Sequence, residues 1–374
     1  MTERRIGLSG PDITDAEIDA VVEVMRSGRL SLGPKLPEFE QAVCEYTGSK
    51  YSVAVNSGTS ALFLCLKAMG IGPGDEVITT PFTFIASVGV ILQAGATPVL
   101  VDIDPQQLNM APSLLENKIT SATKAIEPVH ALGNPWGVDD VCEIAKSHGL
   151  YSIEDSCEAL GTVYKGKKSG CFGDAGFYGF YPNKQITTGE GGIMVTDDRA
   201  LAESCISLRN QGRAPGAGWL SHDRVGYNFR LSDINCALGI VQLARIEEFK
   251  TKRKAVARKY TEFLSVDERL TLQPIPDDCD FNWFVYVVRL SESFSAEDRD
   301  QLMSMMSESG IGVGNYFPAV HLQPFMRKLG YKRGDFPVTE SVSDRTIALP
   351  FHNNLPDSDI EFVCGKLLSF LDRL

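Results

Sequence analysis

Residues 178–192 read Y-G-F-Y-P-N-K-Q-I-T-T-G-E-G-G, with Lys184 near the middle. Tyr178 to Tyr181 has the aromatic character of a strand, which Pro182 and Asn183 then break. Lys184 therefore falls on a turn where a strand has just ended, ahead of a glycine-rich turn and a second apolar run at residues 193–196. A lysine placed this way points off a sheet edge into a cavity. Lysine amines form Schiff bases with carbonyl groups, and desolvation makes such amines nucleophilic near neutral pH. The competing reading is a solvated surface charge, one among 36 lysines and arginines.

Outward from that stretch, strand and helix periods alternate. Residues 51–55 form a strand, Asn56 to Ser60 a turn of small and hydroxyl residues, and residues 61–69 a helix. N–H groups at a helix start suit a phosphate, so Gly58, Thr59 and Ser60 are candidate ligands. An ordinary N-cap by Ser57 or Thr59 explains the same residues. Strands follow at 76–80, 98–102 and 125–129, with a turn at 81–84 and a helix at 85–94. After a loop at 130–136 and a helix at 138–148, a short strand at 151–153 delivers Glu154, Asp155 and Ser156 at its carboxyl end. This alternation predicts a doubly wound, mainly parallel α/β sheet, in which ligands bind beyond the carboxyl ends of the strands. The Ser57–Ser60 turn, Phe82, Phe84 and Asp155 all fall at such ends.

Before the sheet, Thr14 and Glu17 form a capping box for a helix with Ile18, Val21, Val22 and Met25 on its apolar face, stopped by Gly28. A second helix spans 36–47. After the lysine stretch come a helix at 199–210, a Gly/Pro-rich loop at 211–219, and one long helix from Ser232 and Asp233 to about residue 264. Strands at 270–274, 284–290 and 312–317 and helices at 296–309 and 357–371 then mark a smaller α+β unit. The expected division is a large domain at 1–245, including the N-terminal helices, and a small domain at 246–374.

The 374 residues are 43% hydrophobic, enough for two cores. A net charge of −12 without a basic stretch excludes a nucleic-acid partner. Nine scattered cysteines without a C-x-x-C pair suggest neither a disulfide framework nor a metal site. Neither a signal peptide nor an apolar run of ~20 residues is seen, so no membrane association and a cytoplasmic location are expected.

A Schiff-base lysine, a phosphate turn and a carboxylate at a neighbouring strand end together suggest pyridoxal 5'-phosphate (PLP). This cofactor is an electron sink while its ring nitrogen stays protonated, and Asp155 is placed to keep the proton there. Phe84 or Phe82 could cover the ring. The alternatives are a helix cap or surface carboxylate for Asp155 and core packing for the phenylalanines.

The motifs N-S-G-T-S-A-L (56–62), P-F-T-F-I-A-S (81–87), P-V-H (128–130), I-E-D-S-C-E-A-L-G (153–161), the lysine stretch, G-Y-N-F-R-L-S-D (226–233) and Y-F-P-A-V-H-L-Q (316–323) resemble the DegT/DnrJ/StrS sugar aminotransferases over nearly the whole chain. The resemblance implies the aspartate-aminotransferase-like fold (PLP fold type I), Lys184 as the Schiff base, Asp155 on the pyridinium, Phe84 on the ring, and Asn228 reaching the phosphate of the other subunit of a homodimer. It also implies an amino-acid donor, glutamate, and a keto-deoxysugar linked to a nucleotide as acceptor, with Tyr316 and His321 on the substrate side. His321 could equally be a structural hydrogen-bonder.

Two positions depart from the family pattern. Gly179 stands where a serine often donates to the phosphate. Glu158 stands where glutamine or histidine is common near the phenolic oxygen; perosamine-type synthases resemble this chain there, which points to a 4-keto sugar. Related dehydratases carry histidine in place of the lysine, and a sensor protein of the same fold would keep the cofactor without the chemistry. Sugar specificity rests on the loops at 29–34, 214–221 and 316–323.

Overall fold

A computed structural model describes residues 5–213, 216 and 221–374, so most of the 214–221 loop lies outside the described residues. The N-terminal helices α1 (Asp15–Ser27) and α2 (Lys35–Thr47) precede β1 (Tyr51–Val55), α3 (Gly58–Ala68), β2 (Glu76–Thr79), α4 (Ile85–Ala94) and β3 (Thr97–Leu100). Then come β4 (Thr123–Ile126), α5 (Val138–Ser147), β5 (Tyr151–Asp155), the short β6 (Val163–Tyr164) and β7 (Lys167–Lys168), β8 (Ala175–Gly179), β9 (Gly192–Thr196) and α6 (Arg199–Arg209). The large sheet has the order β1-β9-β8-β5-β4-β2-β3. The pairings among β3, β2, β4, β5 and β8 are parallel, and β9 runs antiparallel to both its neighbours. The expected mainly parallel sheet is present.

Period-2 alternation lets the sheet bury both faces. Val53 and Val55 point into one core with Leu62, Leu66, Ile91 and Leu208, while Ala54 points into another with Phe39, Val43 and Phe180. The return from β8 to β9 needs no helical crossover because the pair is antiparallel. The Lys184 stretch is therefore a compact turn at the sheet's carboxyl edge.

The single long helix expected after residue 232 is two helices, α7 (Asp233–Ala244) and α8 (Ile246–Leu264). Arg245 between them leaves helical geometry (φ −97, ψ 4) and pairs with Asp12, Glu17 and Glu248. In α1 the capping box forms, with Glu17 Oε2 accepting from Thr14 N at 2.8 Å. The burial of α1 differs from its apolar pattern, however. Glu17 is buried against Arg245 and Gln242, and Ile18 and Met25 stay exposed.

Beyond α8, β10 (Leu270–Leu272), β12 (Tyr286–Leu290) and β13 (Thr346–Leu349) form an antiparallel sheet, with β11 (Cys279–Asp280) pairing β6 instead. The strand expected at 312–317 is absent; only Gly314 bridges to Ala348. Helices α9 (Ala296–Glu308), α10 (Pro324–Arg327), α11 (Pro337–Ser343) and α12 (Asp357–Leu371) complete this part. One face of the sheet packs on α8, α9 and α12. Val287 and Ala348 on the other face meet Phe82, Ile103 and Leu132 of the large sheet's loops.

Candidate active site

A cavity of 630 Å³ opens where β1, β2, β5 and β8 end, and Gly58, Thr59, Phe84, Asp155, Glu158, Lys184 and Tyr316 all line it. At one end, Ser57 caps α3 and accepts from Ser60 N at 3.1 Å. The Ser60 hydroxyl lies 2.9 Å from that of Ser57, so Ser60 serves the cap and is outside the lining. The helix start is pressed onto the sheet. A Cβ at Gly58 would lie 2.9 Å from Cys157 Sγ, and one at Gly192 would lie 2.3 Å from Gly58 N. Gly179 is different. A Cβ there would make ordinary contacts, the nearest 3.5 Å away at Cys157 Cβ.

Asp155 ends β5 with both oxygens engaged. Oδ2 accepts from Ser87 Oγ at 2.7 Å and Oδ1 from Cys157 N at 3.2 Å. Ser87 lies 2.8 Å from Thr83 Oγ1, so the turn and helix that present Phe84 also orient Asp155. Glu154 points away from this cavity. It accepts from Gly170 N and Gly173 N and lies 3.2 Å from His130. Glu127, fully buried just beyond β4, has no partner for either carboxyl oxygen among the described residues. Burial, and then the charge of Asp155, push its pKa well above the usual carboxylate range. Of the two carboxyl groups, only Asp155 has hydrogen-bond donors among the described residues.

Lys184 Nζ lies 3.2 Å from Glu158 Oε1 and 4.2 Å from the centroid of the Phe284 ring. The turn is tied by Lys184 N to Tyr181 O at 2.9 Å and by Arg253 Nη2 to Lys184 O at 3.2 Å. Glu158 Oε2 accepts from Leu132 N at 3.0 Å. Burial raises the pKa of Glu158, and Lys184 opposes that rise. Asn183 Nδ2 donates to Tyr316 Oη at 3.3 Å across the cavity mouth.

Besides Ser60, two more of the expected site residues lie outside the lining. His321 is fully buried, 2.9 Å from Glu340 Oε1 and edge-on to Phe336, outside the cavity. Asn228 is exposed and bridges to Asn210, away from the cavity of its own chain. Sequence reasoning missed Phe284, Ser87, Glu127, Asn183, Glu190 and Asn315. Ser87 closes the P-F-T-F-I-A-S motif, and a hydroxyl one helical turn after Phe84 was its available signal. Phe284 carries none, since its role arises from the C-terminal sheet docking on the lysine turn. Among the described residues no cluster of His, Cys, Asp or Glu could hold a metal, and no helix is long and apolar enough to cross a membrane.

A cavity lysine on a sheet-edge turn, a carboxylate at the neighbouring strand end and a glycine-packed helix start define a PLP-dependent transferase of fold type I. The DegT/DnrJ/EryC1/StrS aminotransferase family model matches residues 11–368, and the chain belongs to that family. It is 39% identical to the GDP-perosamine synthase of Caulobacter vibrioides over 97% of each chain. It is 38% identical to the spore coat polysaccharide biosynthesis protein SpsC of Bacillus subtilis over 94% of each. Its structure matches Spr1654 of Streptococcus pneumoniae in the PLP form with a TM-score of 0.94, at 30% identity over 99% of each chain. The protein is thus a PLP-dependent sugar aminotransferase, and the groups lining the cavity fit the cofactor.

Two outcomes follow from this geometry. Glu127 holds a proton that the unfolded chain releases above its ordinary pKa of 4.5. Its contribution to stability is therefore full below that pH and is lost as pH rises toward the raised native value. Glu127→Leu should stabilise the apo-protein by about 1–3 kcal/mol at pH 8 and by less at pH 5. Equal unfolding temperatures for the two proteins at both pH values would count against the buried neutral acid. Gly179→Ser should leave the unfolding temperature unchanged and tighten PLP roughly tenfold, the worth of one charge-assisted hydrogen bond. Equilibrium dialysis of the cofactor checks this, and unchanged affinity would mean the phosphate lies out of reach of position 179.

Proposed function

We propose that this protein moves the amino group of L-glutamate to the 4-keto carbon of a nucleotide-linked deoxysugar. The observation that carries the reading is the Lys184–Glu158 pair inside a cavity that also presents Asp155 and the start of α3. Gly58 and Thr59 would hold the phosphate, Asp155 the ring nitrogen, and Phe84 one ring face. PLP, when bound, supplies the electron sink for charge developing at the donor's α-carbon. Lys184 Nζ then serves as the base that removes the α-proton and as the acid that returns it, as positioned amines do. Burial raises the pKa of Glu158, which lessens its repulsion of the phenolic oxygen beside it. Tyr316, Asn315 and Glu190 at the mouth are left to meet the sugar. The 4-keto assignment is supported by Glu158 and by the perosamine synthase among the relatives.

The working unit in this reading is a homodimer. Phe84, Tyr181, Met25, Leu30 and Leu32 are exposed apolar side chains on and around the site-bearing part of the chain. Asn228 lies on the surface, where it could serve the partner's phosphate. The reading keeps the domain junction between Arg245 and Ile246, and the break between α7 and α8 supports it.

Lys184→Ala should abolish the visible absorption of bound PLP that glutamate bleaches in the wild type, and lower transamination by ~10²–10⁴-fold. A wild-type band that persists in the variant would sink the catalytic assignment. With the wild type, 2-oxoglutarate should form beyond one equivalent per bound cofactor with 4-keto but not 3-keto sugar nucleotides. Mixing inactive Lys184→Ala and Asn228→Ala dimers, with subunit exchange, should restore about a quarter of wild-type activity, because half the dimers regain one intact site. Failure to restore it would place Asn228 in its own subunit's chemistry or outside it.

A further inference from the structure

A second cavity, of 340 Å³, lies in the seam between the large domain and the C-terminal sheet, on the far side of the 130–136 loop from the lysine. Its floor is a row of side chains across that sheet. Arg289 on β12 is the register partner of Thr271 on β10 and of Thr346 on β13. Leu108, Leu132 and Trp136 form the facing wall. Arg289 is the one charged residue in the lining. Its Nη1 reaches the Pro105 carbonyl at 3.4 Å, and among the described residues it has no ion pair; Glu292 nearby lies 4.0 Å from Arg345 instead. Burial, and then the charge of Arg345, lower the pKa of Arg289. Arg289 is half-buried, and Glu292, whose charge partly offsets that of Arg345, makes no ion pair with it, so a bound anion would meet a guanidinium still open to pairing. The apolar wall adds a preference for a ligand with an apolar or aromatic body.

The wall is also wired to the catalytic lysine. Gln273, two residues after Thr271 and buried in the lining, donates through Nε2 to Leu132 O at 3.1 Å. Leu132 N donates to Glu158 Oε2 at 3.0 Å, and Glu158 Oε1 holds Lys184. Leu132 itself is left-handed, with φ 60 and ψ 15, a conformation that a leucine keeps only when its surroundings hold it there. The seam cavity and the carboxylate beside the lysine therefore pull on the two ends of one constrained residue.

We propose that the seam cavity is an effector site for a small organic oxyanion with an apolar body, bound by Arg289 and felt at Glu158 through Leu132. The site is distinct from the cofactor's phosphate turn, so the test uses holoenzyme in which PLP fills that turn. Phenyl phosphate and benzoate separate a phosphate head from a carboxylate head, and inorganic phosphate is the control without a body. Calorimetry should show saturable binding of one of the two aromatic probes at one site per chain, tighter than inorganic phosphate. Arg289→Met should weaken it at least tenfold. Arg289→Lys, which keeps the charge if the methionine variant does not fold, should weaken it severalfold. Probe occupancy should also shift the pH midpoint of the visible cofactor band in the wild type. Gln273→Leu should still bind while its midpoint stays fixed. Binding of equal strength in the arginine variants, or no saturable binding, overturns the site. Binding that leaves the wild-type midpoint unmoved overturns the link to Glu158.

Discussion

A lysine amine held 3.2 Å from a carboxylate, both largely out of water, is the interaction on which this active site depends. Isolating either partner there would be costly, and the pair survives because each is held from a second side. Glu158 takes the Leu132 N–H, and the Lys184 turn is fastened by Arg253 from α8 and faced by Phe284. Arg253 also donates to the carbonyls of Trp283 and Phe284, so a single guanidinium ties the lysine turn to the entry of β12. The C-terminal part of the chain is therefore a structural member of the site and not only a cover over it.

The other end of the cavity is governed by backbone proximity. Gly58 and Gly192 allow α3 to approach β8 and β9 with no side chain between them. That closeness brings the helix start and the lysine turn into one cavity without long side chains having to span it. At Gly179 the same argument fails, because a side chain would fit. The glycine there therefore answers no steric demand.

The central sheet, and the placing of Lys184, Asp155 and Phe84 around one cavity at its carboxyl edge, were legible because each depends on local order: a strand, its end, and a turn residue. What could not be read depended on packing between distant segments. Apolar residues recur at helical spacing on both sides of Arg245, from Val241 and Ala244 to Ile246 and Phe249, so the break there is invisible until Asp12 and Glu17 are brought beside it. The pattern of α1 pointed to Ile18 and Met25 as core, yet α1 packs on α7 through Glu17, whose burial is compensated by Arg245 and Gln242. The four residues of β13 are too short to show a period, and all four are buried. His321 illustrates the same limit. A histidine in a motif reads as chemistry until Glu340, on a separate helix, is seen to face it.

The loop at 130–136 gathers these strands of argument. His130 meets Glu154 and Ser156 behind β5, Leu132 joins Glu158 to Gln273, and a Cβ on Gly133 would lie 2.8 Å from Glu158 O. Asn109 adds two more fastenings, to the carbonyls of Asn134 and Trp136. Polar groups at His130, Ala131, Leu132, Asn134 and Trp136 are thus used by other elements, and buried backbone groups left unpaired are expensive. Such a loop cannot relax on one side alone. A shift of the C-terminal sheet at Gln273 must either break the Leu132 carbonyl's bond or carry Leu132 with it, and in the second case the Leu132 N–H moves relative to Glu158. The wall that separates the two cavities is for that reason also a physical connection between them.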